Sequence, residues 1–321
     1  MTDLERYLAE EIAEDHVDGI ITRREALRRL GLMGVTATAA TAMIAAEVEA
    51  RERGKNTSGG DHGHGGGHGR PDRRKTDWAP AATTPITFPG PNGVVLQAAW
   101  AAPAPGTRIK GGVLVIHENR GLTDHIRNVA GRFAANGFAA LALDLLSHEG
   151  GTAALADDAA RMAALAAVSQ ANPARFDNDM KAAISELGKR LGRHTPLNAI
   201  GFCFGGGMVW RLLAAKETRL AAAAPFYGPF PTGGDLRGIR ADVLGVYAGN
   251  DERVNATRDA AQAALEAARV DYEILTFTEA AHAFFNDTGG FPPTGRFNAA
   301  AAEEAWRRVN DWFGDHRKSR D

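Results

Sequence analysis

Cysteine is almost missing from this chain: Cys203 is the only one among 321 residues. A single thiol rules out an intramolecular disulfide, and cysteine usage therefore says nothing about the compartment. An excess of basic residues is missing too. Lys and Arg number 37 against 39 Asp and Glu, and no basic patch carries interleaved aromatics, so nucleic acid is not an expected partner. Long hydrophobic runs are scarce. The uncharged stretch Leu30–Ala46 has 17 residues rich in Ala, Thr and Gly, marginal against the ~20 apolar residues of a spanning helix. What remains, with 44% hydrophobic residues and a formal charge of −2, is the balance of a soluble globular protein long enough for one large α/β domain or two small ones.

The lone cysteine stands in a distinctive setting. Gly201-Phe202-Cys203-Phe204-Gly205-Gly206-Gly207 follows the apolar run Leu197–Ile200 and leads into the helical pattern Met208–Ala215. Glycines two residues before and after a central residue, between a strand and a helix, form the nucleophile-elbow pattern. The turn is so tight that only glycine avoids collision on either side, and the central side chain projects above the strand ends. A buried structural cysteine in a Gly-rich turn would give the same local sequence. Two further segments decide between the readings. Asp251 ends Tyr247-Ala-Gly-Asn-Asp just past the apolar run Val243–Val246, and His282 follows the alternating run Tyr272–Phe277. Nucleophile, acid and histidine thus occur in the chain order of the α/β-hydrolases, each after an expected strand.

With Val115-Ile116-His117-Glu118-Asn119-Arg120-Gly121 added to these three segments, the chain resembles the dienelactone hydrolase family, cysteine-dependent α/β-hydrolases that open lactone and ester bonds. The resemblance runs from about Gly111 to the C-terminus. It implies hydrolysis of a lactone or small carboxylic ester through an acyl-enzyme, with neither metal nor organic cofactor. Cys203 is the expected nucleophile, His282 the base that takes its proton, and Asp251 the group that orients the imidazole. The elbow makes the Phe204 N–H one oxyanion donor, and the resemblance makes the Asn119 N–H the second. A free thiol with a pKa near ~8.5 is mostly protonated at neutral pH, although a helix N-terminus favours the anion. The resemblance assigns Glu118 the task of keeping the resting thiol neutral and then assisting activation; pairing with Arg120 or Arg127 is the plainer role.

One departure concerns substrate binding. Family members bind a substrate carboxylate with arginines, one of them four residues after the catalytic histidine, where this chain has Asn286. Arg161 is a loose match for a second, with Leu165 where the family has tyrosine. Losing a bidentate clamp removes orientation as well as energy, so a neutral lactone or small ester fits as well as dienelactone. Arg120 and Tyr227, each just past an expected strand, are further candidates for the pocket border. The plainer reading has His117 ending its strand and Arg120 as a loop-surface charge.

From Trp78 onward, strand and helix signals alternate. Expected strands are Ile86–Phe88, Val94–Trp100, Gly112–Ile116, Phe138–Leu143, Leu197–Phe202, Leu220–Pro225, Val243–Tyr247 and Tyr272–Phe277. Helices are expected at Thr123–Asn136 and Ala299–Phe313. This alternation predicts the α/β-hydrolase fold, a mostly parallel central sheet with helices on both faces. The Ala-rich excursion between Leu145 and Asn172 is either a roof over the site or a plain crossover helix.

The first 77 residues read differently. Arg23-Arg24 ahead of the weakly apolar Leu30–Ala46, with Val48-Glu49-Ala50 beyond it, resembles a twin-arginine export signal. Residues 1–50 are thus expected to engage export machinery and place the protein in the periplasm or another extracytoplasmic space; a solvated charged helix would leave it cytoplasmic. The first 18 residues hold seven Asp or Glu against one Arg, and Leu4, Leu8, Ile12 and Ala13 share one helical face; no function attaches to them. Residues 51–77 read as a disordered Gly/His-rich linker. Its His62, His64 and His68 lack the rigid frame and supporting shell of a metal centre, so no metal site is assigned. The catalytic domain is then 78–321. Two other classes remain open: a thiol peroxidase or redox sensor, against which the lack of a resolving cysteine counts, and a non-catalytic binding protein on the same fold.

Overall fold

The computed structural model describes residues 1–57, 78–288 and 296–316. Eight strands form one sheet in the order β1-β2-β4-β3-β5-β6-β7-β8. They are β1 (Thr84–Pro89), β2 (Val95–Ala101), β3 (Gly112–Ile116), β4 (Ala139–Leu143), β5 (Leu197–Phe202), β6 (Leu220–Phe226), β7 (Asp242–Asn250) and β8 (Tyr272–Ala281). β1 and β2 pair antiparallel, as do β2 and β4, and every other pairing is parallel. All residues of β3, β4, β5 and β6 are buried, which is why these segments read as unbroken aliphatic runs rather than alternating ones. Each expected strand is present, β8 and β7 running a few residues further than their apolar cores.

Helices α4 (Asp124–Ala135), α5 (Asp158–Ala171), α6 (Ala174–Leu191), α7 (Phe204–Ala214), α8 (Glu252–Asn255), α9 (Arg258–Ala268) and α10 (Ala299–Asp315) complete this domain. The β3–α4–β4 crossover steps toward one sheet edge and β5–α7–β6 toward the other. Right-handed connections stepping in opposite directions place their helices on opposite faces. α10 joins the α4 layer, where Phe133 meets Trp306 at 4.6 Å and Phe313 at 5.9 Å. α6 lies beside α7, with Arg211 bonded to both oxygens of Asp177. The strand order reverses between β3 and β5, and the crevice at their carboxyl ends is where open α/β sheets bind ligands. The loop carrying Glu118 and the turn carrying Cys203 meet there.

The N-terminal segment is folded onto this domain. α1 (Asp3–Val17), α2 (Arg23–Leu32) and α3 (Ala37–Thr57) pack on one another, and α1 and α2 rest on α5. Thr2 caps α1 with a full capping box, Thr22 caps α2, and Arg28 pairs with Asp157 at 2.9 Å. The excursion after β4 is therefore a platform for the N-terminal helices. No helix among the described residues is long and apolar enough to cross a membrane. α3 continues to Thr57, seven residues into the stretch read as linker; its remainder, with His62, His64 and His68, lies outside the described residues.

The tightest constraint is at the elbow. Cys203 has φ 57° and ψ −121°, a sparsely populated conformation that costs roughly 1–3 kcal/mol and persists only when its surroundings enforce it. A Cβ on Gly201 would lie 2.1 Å from the Gly205 carbonyl oxygen, and one on Gly205 2.4 Å from that of Ile116 and 2.6 Å from that of His117. Both obstacles are backbone, which cannot step aside as a side chain can. Gly205→Ala should lower the unfolding free energy by about 3 kcal/mol, the upper end of overpacking costs. Urea denaturation checks this, and an equally stable variant would show that the turn tolerates a Cβ.

Candidate active site

Cys203, Asp251 and His282 come from three separate loops at the carboxyl ends of β5, β7 and β8, and all three are buried. Asp251 caps α8: one carboxylate oxygen accepts the Val254 N–H at 3.2 Å, and the other lies 2.6 Å from His282 Nδ1. With one oxygen tethered to backbone, the carboxylate fixes the imidazole so that Nδ1 carries a proton and Nε2 faces the crevice. The histidine loop is held from behind by aromatics. Tyr227 meets the His282 ring edge-on at 5.3 Å, and Phe285 stacks on Phe202 at 5.1 Å. Asp287 anchors the loop's far end, receiving Trp78 Nε1 at 3.2 Å and Arg132 Nη2, with His125 beside it at 3.3 Å.

The Glu118 loop is fixed by its neighbours. His117 lies with Nδ1 2.6 Å from the Glu118 carbonyl oxygen and accepts the Leu145 N–H at Nε2, 3.1 Å away. It thus ends β3 and ties the loop to the next strand's exit; burial keeps its pKa below the ordinary value, although nearby Asp144 opposes this. Glu118 is buried and accepts Asn286 Nδ2 at 2.8 Å. The asparagine standing where family members carry a substrate-binding arginine therefore holds the glutamate. Arg120 pairs with Asp15 and Asp158, each at 3.6 Å, and Arg127 with Asp124 at 3.9 Å.

Phe204 is the first residue of α7, whose opening N–H groups have no acceptor within the helix. Asn119 borders the remaining cleft together with Glu118, Arg120 and Cys203. Two expected pocket residues lie elsewhere. Arg161 is engaged by Asp158 at 2.9 Å and the Thr152 carbonyl at 3.2 Å, because it sits on the platform helix rather than at the crevice. Tyr227 has no exposed surface; its φ of 34° turns the ring behind His282 among Phe202, Phe226 and Phe284.

Four site residues were not apparent as such in the sequence: Tyr7, Glu11, Asp15 and Arg296. Tyr7, Glu11 and Asp15 recur every four residues on α1, one helical face, and that face lies on the crevice. The Tyr7 hydroxyl donates to Cys203 Sγ at 3.3 Å. Glu11 Oε1 lies 3.3 Å from His282 Nε2. Behind them, Arg253 contacts Glu11 at 2.7 Å and Glu14 at 2.6 Å. Arg296 contacts Asp15 at 3.1 Å and Asp18 at 2.7 Å. The signal was available: a spaced acidic face in the first 18 residues, and an arginine directly after Asp251.

These charges set the protonation states. Burial opposes a charged His282, but the Glu11 and Asp251 carboxylates on its two sides outweigh it and hold the pKa well above the ordinary value. Burial pushes the Cys203 thiol up; Glu11 and Glu118 add to this, and His282 pulls the other way. Glu11 itself, despite burial, is held well below the carboxylate range by His282 and Arg253. The resting site thus holds a neutral thiol beside an imidazolium. The ligand atoms of Glu11, Cys203 and His282 lie within 4.8 Å of one another, a donor set suited to zinc. An ion there would occupy the sulfur and nitrogen on which thiol chemistry depends.

Comparison with known proteins places this geometry in context. The profile of the dienelactone hydrolase family matches residues 96–317. A protein of Escherichia coli K12, provisionally named carboxymethylenebutenolidase, is 31% identical over 212 residues, covering 63% of this chain and 75% of that protein. One of the same provisional name from Methylorubrum extorquens is 31% identical over 244 residues, covering 71% and 79%. Among solved structures, a provisionally assigned dienelactone hydrolase from Klebsiella pneumoniae superposes with a TM-score of 0.62 at 27% identity, covering 72% of this chain and 98% of that one. A dienelactone hydrolase-like promiscuous phosphotriesterase from metagenomic libraries gives 0.60 at 25%, covering 74% and 100%.

Replacing Glu11 by Gln removes one of the two carboxylates beside His282, so the histidine's pKa should fall. An NMR titration of the ring protons checks this; an unchanged value would mean that Asp251 alone sets the charge.

Proposed function

Because the chain belongs to the dienelactone hydrolase family and is a hydrolase, we propose that it cleaves a lactone or small carboxylic ester with Cys203 as nucleophile. The observation that carries this reading is the Cys203 elbow facing an imidazole that Asp251 orients through a 2.6 Å contact. In the productive state His282 Nε2 takes the thiol proton as sulfur attacks the ester carbonyl carbon. The Phe204 and Asn119 N–H groups stabilise the oxyanion. Collapse breaks the bond to the alcohol oxygen, which leaves with the proton from His282. Water, deprotonated by the same nitrogen, then hydrolyses the thioester and regenerates the thiol. Glu118, tethered by Asn286, discourages ionisation of Cys203 until substrate arrives, which limits oxidation of a low-pKa thiolate. Arg120 and Arg296 at the cleft favour an ester that also carries a carboxylate, a contact the Asn286 position does not supply. Steady-state hydrolysis of aryl esters and lactones, dienelactone included, should vanish in step with iodoacetamide alkylation. It should also fall about 10³-fold or more in Cys203→Ala. Full activity in that variant would sink the mechanism, and thiol consumption by peroxide without ester turnover would favour the redox reading.

The exposed pair Arg23-Arg24 is proposed as an export determinant. Fractionation of cells expressing the chain should find it outside the cytoplasm, and Arg23→Lys with Arg24→Lys should retain it inside; equal distributions would remove the proposal.

A further inference from the structure

Helix α1 lies outside the matched residues 96–317, yet it makes the most intimate contacts in the crevice. Its Tyr7 hydroxyl is bonded to the sulfur that must attack, and its Glu11 carboxylate sits on the nitrogen that must accept the proton. With α1 in place Cys203 is 2% exposed and His282 0%. The space left between them is about 10 Å³, the room of roughly one water molecule. No ester fits there. We propose that α1 is an intramolecular inhibitor of the hydrolase site: docked, it fills the substrate's place, and undocking opens the site. This rests on the hydrolase reading above, whose regulation it supplies.

Two features make α1 an inhibitor rather than a part of the catalytic apparatus. The first is chemical. Glu11 stabilises the imidazolium and disfavours the thiolate, so it holds the base already protonated and the nucleophile neutral, opposite to what the first step requires. The second is the mode of attachment. The acids Glu11, Glu14, Asp15 and Asp18 face Arg253, Arg296 and Arg120 of the catalytic domain, and the Arg253 guanidinium also covers the Tyr7 ring at 4.5 Å. At the cleft, the α1 carboxylates occupy Arg120 and Arg296, the cations proposed to attract an anionic substrate. A substrate carboxylate and α1 therefore compete for the same positive charge. Cleavage after Ala50, as the export reading expects, would carry α1 away altogether.

Charge reversal tests this in the full chain. Glu11→Lys with Asp15→Lys sets two ammonium groups against three arginines and should undock α1. Hydrogen exchange at residues 3–17 reports undocking, and Leu8→Pro, which breaks the helix interior, serves as an independent second variant. Undocked chains should react with iodoacetamide at Cys203 about tenfold faster or more, with ester turnover rising in parallel. A synthetic peptide of residues 2–18 should slow both again. Fast exchange in α1 with an unchanged alkylation rate would overturn the proposal, as would faster alkylation with turnover below that of the parent chain. Faster alkylation with no turnover in either chain would leave the occlusion standing and remove the hydrolase reading instead.

Discussion

The backbone contact between Gly201 and Gly205 governs how this domain is arranged. Only because neither residue has a Cβ can α7 start directly above the end of β5, with Gly205 against the carbonyls of Ile116 and His117. That proximity joins the exits of β3 and β5 across the point where the strand order reverses. It holds Cys203 in a conformation that its own side chain disfavours, and it aims the α7 amides at the crevice. The buried aliphatic strands and the aromatic cluster around Phe202 and Phe285 supply the packing that keeps the turn closed.

Around this fixed point the chain assembles an unusual concentration of buried charge. Glu11, Asp15, Glu118, Asp251, His282 and Arg296 are all buried, with Arg253 and Arg120 at the edge. Burying ions is costly unless each is paired, and here the pairing runs between α1 and the catalytic domain. The cost of opening the site is therefore set by ion pairs whose partners are re-solvated together when α1 leaves, rather than by a hydrophobic seam alone. The same carboxylates that hold the helix also set the protonation of Cys203 and His282. Geometry and electrostatics thus favour the same closed state.

The catalytic constellation was legible because its requirements are local. A glycine-flanked cysteine after an aliphatic run, and an acid and a histidine each just past a strand, are patterns that strand–turn–helix geometry imposes within a few residues. The eight strands were legible for a similar reason: strands buried on both faces must be aliphatic throughout. Arg161 and Tyr227 were misjudged because proximity to a pocket depends on which way a loop turns. Tyr227 is turned inward by a positive φ, and Arg161 lies on the far side of a platform whose use no local pattern reveals.

The acidic first helix marks the division between the two. Sequence alone determined that residues 3–17 would form an amphipathic, capped and strongly negative helix, since capping, periodicity and charge are properties of neighbours a few positions apart. Where that helix would lie was decided only in the tertiary structure. Its complement is Arg120, Arg253 and Arg296, which come from three loops that are distant along the chain and meet only when the sheet forms. Tyr7 and Cys203 are 196 positions apart, a pairing that no local rule contains and that the shared crevice alone creates.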